Sequence, residues 1–268
     1  MKILNGTELA GFIKQRQAKQ VRSIRQTHNI VPKLAIVKTL DDPVIDTYVR
    51  LKRQYGEEVG VEVDAYSVNQ DEVLDLINKL NINDSVHGII IQLPLADPSM
   101  MEEILNAVVP DKDVDGLGEK SNFTPATPKA IMWLIDGYNY SLLGKKIAVV
   151  GRGRLVGAPL ERELAALGNN VISYDKGVAD LKSELRSAQV VISATGQAGL
   201  ITADMLAEGT LAIDAGVATE GYKTVGDFAD DVYERDDLSV TPKKGGVGPL
   251  TVCALFENLI ASLIAEIS

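Results

Sequence analysis

The segment 146–168, KIAVVGRGRLVGAPLERELAALG, decides how this chain folds. It runs from a short apolar strand through a glycine turn into an amphipathic helix. Gly151, Gly153 and Gly157 form the pattern G-x-G-x-x-x-G. Glycines let such a turn close tightly and let backbone approach a pyrophosphate at the amides of a helix N-terminus. The glycine pattern alone is weak, and a turn that only serves packing is the plain alternative. Its place between strand and helix is the context the chemistry requires. The next strand-like run ends at Asp175, roughly 20–25 residues after Gly151, where a carboxylate can accept both ribose hydroxyls of NAD. That carboxylate would repel the 2′-phosphate of NADP, and Lys176 beside it softens the discrimination. NAD is favoured, and NADP stays open.

Outward from this unit, short β-rich runs alternate with amphipathic stretches. Strands are expected at 33–39, 61–68, 86–93, 146–151, 170–175, 190–195 and 210–216. Helices are expected at 7–29, 43–58, 70–80, 99–107 and 251–266. The rhythm argues for an α/β protein with parallel sheets covered by helices. A polar, Gly- and Pro-containing seam at 110–125, PDKDVDGLGEKSNFTP, divides it. The expected domains are 1–118, catalytic, and 119–268, Rossmann-like.

Bulk composition narrows the function classes. With 37 acidic and 27 basic residues the 268-residue chain carries a formal charge of −10. So acidic a protein has no general footprint for nucleic acid or an anionic membrane. One cysteine, Cys253, lies in an apolar run and reads as a buried thiol, so no disulfide framework exists. His28 and His87 stand far apart, with no metal-ligand spacing, and no metal is expected. The start lacks the apolar core of a signal peptide, and no uninterrupted apolar run reaches membrane-spanning length. A cytoplasmic protein is expected.

The helix at 43–58 opens on Asp42 as N-cap and Pro43 as first residue. Wound at about 100° per residue, it places Val44, Tyr48, Leu51, Tyr55 and Val59 on one stripe, widened by Ile45. Asp46, Arg50, Arg53, Gln54 and Glu57 share the opposite face, but Lys52 falls inside the apolar arc. A lysine there either snorkels past the stripe or points into a pocket, where desolvation lowers its pKa and suits it to acid–base work. Two other stretches offer it company. Gln92 ends the strand GIIIQLP, where open α/β sheets bind ligands. Asp113 and Asp115 lie in the loop DKDVDG, and carboxylates of this kind pair with an aminopyrimidine edge. Read singly, these are a strand-end amide and a solvated acidic loop.

YVRLK, GIIIQLPL, KDVDG, TPATP, GRGRLVGAP and TPKKGGVGPLTVCALFENL follow one another in this order. Together they resemble the bifunctional methylenetetrahydrofolate dehydrogenase/cyclohydrolase (FolD) family over nearly the whole chain. The resemblance implies two α/β domains around a cleft, the final helix packing back on the first domain, and a homodimer. It implies oxidation of 5,10-methylene-tetrahydrofolate with NAD(P), NADP being the family norm, followed by hydrolysis to 10-formyl-tetrahydrofolate. Lys52 then matches the catalytic lysine, Gln92 the amide that positions it, and Tyr48 the aromatic that stacks on the folate. Asp115, Asp113 or both would anchor the pterin, with Asp115 favoured. Gly151, Arg152, Gly153 and Gly157 would hold the pyrophosphate, Val217 would line the nicotinamide, and Gly245, Gly246 and Pro249 would shape the cleft wall.

The departures are local. Val44 and Ile45 replace the family's Ala-Ser, Ala126 replaces a cysteine, Gly153 replaces a serine, and the loop after Gly116 is shortened. The basic residues common after the second Rossmann strand are replaced by YDKG, in line with Asp175 favouring NAD. Two other readings remain: a monofunctional or non-enzymatic folate-binding relative, and a shikimate-dehydrogenase-like enzyme of the same two-domain plan.

Overall fold

The computed structural model describes residues 1–220 and 223–267. The elements in chain order are β1 (Lys2–Ile3), α1 (Gly6–His28), β2 (Lys33–Lys38), α2 (Pro43–Val59), β3 (Glu62–Ser67), α3 (Val73–Asn81), β4 (Gly88–Ile91) and α4 (Met101–Ala107). There follow α5 (Ala126–Gly137), β5 (Lys146–Val150), α6 (Gly157–Ala166), β6 (Asn170–Tyr174), α7 (Leu181–Arg186), β7 (Val190–Ser193) and β8 (Leu211–Asp214). The hairpin strands β9 (Ala218–Glu220) and β10 (Lys223–Val225), then β11 (Ser239–Val240) and α8 (Val247–Ile267), complete the chain.

The residues group into two compact units, Met1–Ala10 with Thr127–Thr251, and Gly11–Ala126 with Val252–Ser268. The chain therefore does not divide at a single seam. The first ten residues, expected in the N-terminal domain, stand in the other unit, because β1 pairs in parallel with β11 at its sheet edge. A two-residue strand carries no readable period, so this placement had no signal in the sequence.

The Gly11–Ala126 unit holds a three-stranded parallel sheet in the order β3-β2-β4. Leu34, Ala35, Ile36 and Val37 of its central strand are fully buried, as the continuous apolar run of a two-sided parallel strand should be. By length and apolar composition alone α8 would pass for a membrane span, but half of its most apolar stretch is buried. Cys253, Phe256, Leu259 and Leu263 are core residues, and the buried Asn258 donates to the carbonyls of Val114 and Thr124. The helix thus clamps both ends of the 114–124 loop in this unit. It begins at Val247, earlier than expected, with Pro249 in its first turn, where a missing N–H costs nothing.

The other unit carries a six-stranded sheet in the order β1-β11-β8-β7-β5-β6, parallel throughout. The order reverses between β5 and its neighbours β6 and β7, which makes the carboxyl ends of these strands the ligand edge of the sheet.

Candidate active site

Asp42 caps α2 as expected, accepting from the amides of Val44 and Ile45. The face of the helix differs from the expected one. Ile45, Val49, Gly56 and Val59 are its buried residues, while Val44 is 45% exposed, Tyr48 38% and Leu51 45%. Gly56 is the reason. A Cβ there would lie 2.5 Å from Val63 Cγ2 and 2.9 Å from the Val61 carbonyl, so the bare glycine lets α2 settle directly on β3. The buried positions 45, 49, 56 and 59 follow helical spacing, and half-buried Lys52 occupies the middle of that stripe. Ile45 is 3% exposed and belongs to the core.

Lys52 is half-buried and its Nζ donates to Gln92 Oε1 at 2.7 Å. Gln92, itself buried at the end of β4, donates its Nε2 to the Leu93 carbonyl at 3.0 Å. That second bond fixes the amide plane with its oxygen toward the lysine. Burial holds the Lys52 pKa below the ordinary lysine value, and the nearby Asp115 carboxylate opposes the shift. Desolvation pushes the Asp115 carboxyl up to about 6, against the pull of Lys52 and with a further push from Asp113. A buried lysine beside an acid, both shifted by desolvation, is an arrangement that acid–base sites use.

Asp113 and Asp115 do different work. Asp113 is buried, and its carboxylate accepts from the amides of Gly116 at 3.2 Å and Gly118 at 2.8 Å. It is engaged in shaping its own loop. Asp115, two residues on, faces Lys52 electrostatically and has no such amide pair among the described residues. Tyr48 sits one turn before Lys52 on α2, partly exposed, with Val44 and Leu51 also exposed along the helix.

The second cluster lies in the other unit. Gly151 has φ 99°, and a Cβ on it would stand 2.6 Å from the Ala194 carbonyl. A Cβ on Gly157 would stand 1.8 Å from the Gly151 carbonyl, so the turn closes only with hydrogen there. A Cβ on Gly153 would meet nothing within 4 Å. The turn therefore keeps an open side at Gly153 in front of the N-terminus of α6, which fits a dinucleotide pyrophosphate. Arg152 reaches Glu161 at 3.7 Å, with most of its side chain in solvent. Asp175 is exposed and bends the chain after β6 by accepting from the Gly177 amide at 2.9 Å. Val217 is exposed just beyond β8. Gly245 has φ 81° and its carbonyl accepts from Thr7 N at 3.0 Å, so the glycines of 245–246 seat the start of α1. Gly246 and Pro249 stand in this unit, apart in sequence grouping from Lys52, Gln92 and Asp115.

Two family models match the chain. Residues 4–115 fit the tetrahydrofolate dehydrogenase/cyclohydrolase catalytic domain, and residues 125–266 its NAD(P)-binding domain. The chain belongs to the tetrahydrofolate dehydrogenase/cyclohydrolase family. A relative from Campylobacter jejuni (strain RM1221), "Bifunctional protein FolD", is 36% identical over 98% of both chains. The crystal structure of a Campylobacter jejuni FolD methylenetetrahydrofolate dehydrogenase/cyclohydrolase superimposes with TM-score 0.93 at 34% identity, covering 99% of each chain. A Trypanosoma brucei FolD complexed with NADP and an inhibitor gives TM-score 0.92 at 27% identity, covering 99% of this chain and 98% of its own. Membership makes the protein a bifunctional, NAD(P)-using dehydrogenase and cyclohydrolase of tetrahydrofolate derivatives.

Sequence reasoning missed one feature of the second unit. At the carboxyl edge of the sheet, half-buried Asp214 accepts from the Asp227 amide, and Asp227 is itself fully buried. Thirteen positions apart and in unlike contexts, they had no shared motif to announce them.

Proposed function

We propose that Lys52 is the acid–base residue of the cyclohydrolase step, held by Gln92, and that Asp115 anchors the folate ring. The observation that carries this reading is the 2.7 Å bond from Lys52 Nζ to Gln92 Oε1 beside the raised carboxyl of Asp115. In the first reaction, methylene-tetrahydrofolate becomes the methenyl cation by giving up a hydride, which a dinucleotide held through its pyrophosphate at the Gly151–Gly157 turn, with its nicotinamide beside Val217, would accept. In the second, water adds to the methenyl carbon. Lys52, whose pKa burial lowers, takes one proton of that water as the neutral amine and returns it to the folate nitrogen as the carbon–nitrogen bond opens. The water's other proton goes to solvent, which balances the formation of 10-formyl-tetrahydrofolate from a cation. Tyr48 supplies a ring face for stacking, and Asp113 holds the loop that presents Asp115. A coupled assay with methylene-tetrahydrofolate should show reduced nicotinamide first and loss of methenyl absorbance second. Reduced nicotinamide with persistent methenyl absorbance would instead support a monofunctional enzyme.

The carboxyl of Asp115 sets a pH dependence. An aminopyrimidine edge donates to the carboxylate and not to the acid, so binding weakens as pH falls through about 6. Folate affinity should drop about tenfold from pH 7.5 to pH 5, with release of about one proton on binding at the lower pH, because the free protein holds Asp115 as the acid there and binding needs the carboxylate. Calorimetry in two buffers of different ionisation heat measures this. A flat affinity over that range would remove Asp115 from the anchor role.

For the cofactor, exposed Asp175 at the end of β6 supports NAD over NADP, although the Trypanosoma brucei relative is complexed with NADP. Initial rates should favour NAD by about tenfold in kcat/KM, and Asp175→Ser should erase that preference. A strong NADP preference in the parent would defeat the argument. We further propose a homodimer in the cytoplasm, which gel filtration and cell fractionation test.

A further inference from the structure

At the carboxyl edge of the six-stranded sheet, two aspartates tie the base of the β9–β10 hairpin to the strand ends. Asp214 Oδ1 accepts from Gly216 N at 3.0 Å and Asp227 N at 3.1 Å, and Oδ2 accepts from Phe228 N at 3.0 Å. Asp227, fully buried, accepts through Oδ2 from Ser193 Oγ at 2.6 Å and Thr195 N at 2.7 Å. Its Oδ1 has no hydrogen-bond partner among the described residues and lies where a Cβ of Gly216 would be, 2.0 Å away. Reciprocally, a Cβ on Gly226 would lie 2.1 Å from Asp214 Oδ2. Each carboxylate is thus fitted against the glycine of the other's strand end.

The consequence is positional. β9 and β10 pair in register, Ala218 opposite Val225, so the hairpin begins directly after Val217. A Cβ on Gly196 would be 3.2 Å from the Val217 carbonyl, and one on Gly151 would be 2.6 Å from the Ala194 carbonyl. A continuous chain of close contacts therefore links the glycine turn after β5, the 194–196 turn after β7 and Val217 after β8. Asp227 bonds to the middle member, and Asp214 and Asp227 together fix the last.

We propose that Asp227, with Asp214, is a positioning device for the dehydrogenase half alone: it sets the height of the Gly216–Val217 segment over the sheet edge and thereby the seat of the nicotinamide ring. The inference rests on the reading of Val217 as lining that ring. A buried carboxyl oxygen with no hydrogen-bond partner among the described residues costs stability, and such a group calls for an explanation. Burial also raises the Asp214 carboxyl, against the three amides that hold it as an anion.

The test compares Asp227→Ala, Asp227→Asn and the parent for nicotinamide cofactor affinity by calorimetry. It adds melting temperature and the cyclohydrolase rate on preformed methenyl-tetrahydrofolate, which needs no cofactor. Asp227→Ala should weaken cofactor binding about tenfold or more, with the cyclohydrolase rate within about twofold of the parent. Asp227→Asn, which keeps an acceptor for Ser193 and Thr195, should recover most of the affinity. If Asp227→Ala does not fold, Ser193→Ala, which removes one of the two donors, should give a smaller loss of the same pattern. Unchanged cofactor affinity in the folded variants, or parallel loss of both activities, overturns the proposal. Failure of the parent itself to bind either nicotinamide cofactor would overturn the reading beneath it, and is seen before any variant is made.

Discussion

Replacing Lys52 by methionine should lower the cyclohydrolase rate by about 10²–10⁴ while leaving the fold and nicotinamide binding intact. The position explains why both halves of that expectation hold. Lys52 lies in the buried stripe of α2 between Val49 and Gly56, so an unbranched apolar side chain of similar length fits the space. Gln92 Oε1 loses its 2.7 Å donor, and Asp115 loses the nearby cation that lowers its carboxyl pKa. A melting temperature within a few degrees of the parent is the expected result. Arginine at the same position separates proton transfer from charge. Lys52→Arg retains a cation and donors for Gln92, but a guanidinium does not give up its proton in the working range. If the site needs only positive charge, that variant will be active; if the lysine carries a proton, it will be nearly as slow as methionine. The parent rate should rise with pH through the depressed lysine pKa, because the neutral amine is the form that accepts a proton. A cyclohydrolase rate unaltered in Lys52→Met would remove the residue from the mechanism.

The same helix shows what a sequence can and cannot reveal. That Lys52 breaks the charge segregation of α2 was visible from its spacing, and so was the Asp42 cap. Which apolar stripe faces inward was not. Val44, Tyr48 and Leu51 are as apolar as the true core positions, and the rotation is set by Gly56, a residue with no side chain to count. The corrected rotation changes the meaning of two substitutions. Ile45 is core filling and leaves the amine's surroundings alone, whereas Val44 is exposed one turn before Tyr48. In the other unit the long strands β5 to β8 were legible from β-branched runs, and the nucleotide turn from its glycines. The pairings of β1 and β11 rest on two residues each, too few for any period. The Asp214–Asp227 pair is a tertiary fact: ordinary strand-end and loop aspartates acquire a role only when β7 and β8 lie side by side.

Gly157→Ala should abolish nicotinamide binding, whereas Gly153→Ala should leave it within about twofold; the contrast follows from where each added methyl would go. At Gly157 the nearest atom is the Gly151 carbonyl oxygen, 1.8 Å from the new carbon, followed by its carbonyl carbon at 2.8 Å. Both are backbone, and Gly151 cannot yield, because its φ of 99° and the Ala194 carbonyl behind it already confine it. Holding the turn closed against such an overlap would cost more than about 4 kcal/mol, so the turn opens instead and the amides at the start of α6 lose their shared aim. Gly153 has empty space at the corresponding position, which is where the pyrophosphate belongs in this reading. A methyl there crowds the ligand slightly and the protein not at all. Serine at 153 would bring a hydroxyl to the same open side, and affinity should hold or improve. Calorimetric titration of the three variants, beside the cyclohydrolase rate as a check that the Lys52 site survives, decides the matter. Parent-like cofactor binding in Gly157→Ala would show that the glycine turn serves packing and that the dinucleotide binds elsewhere.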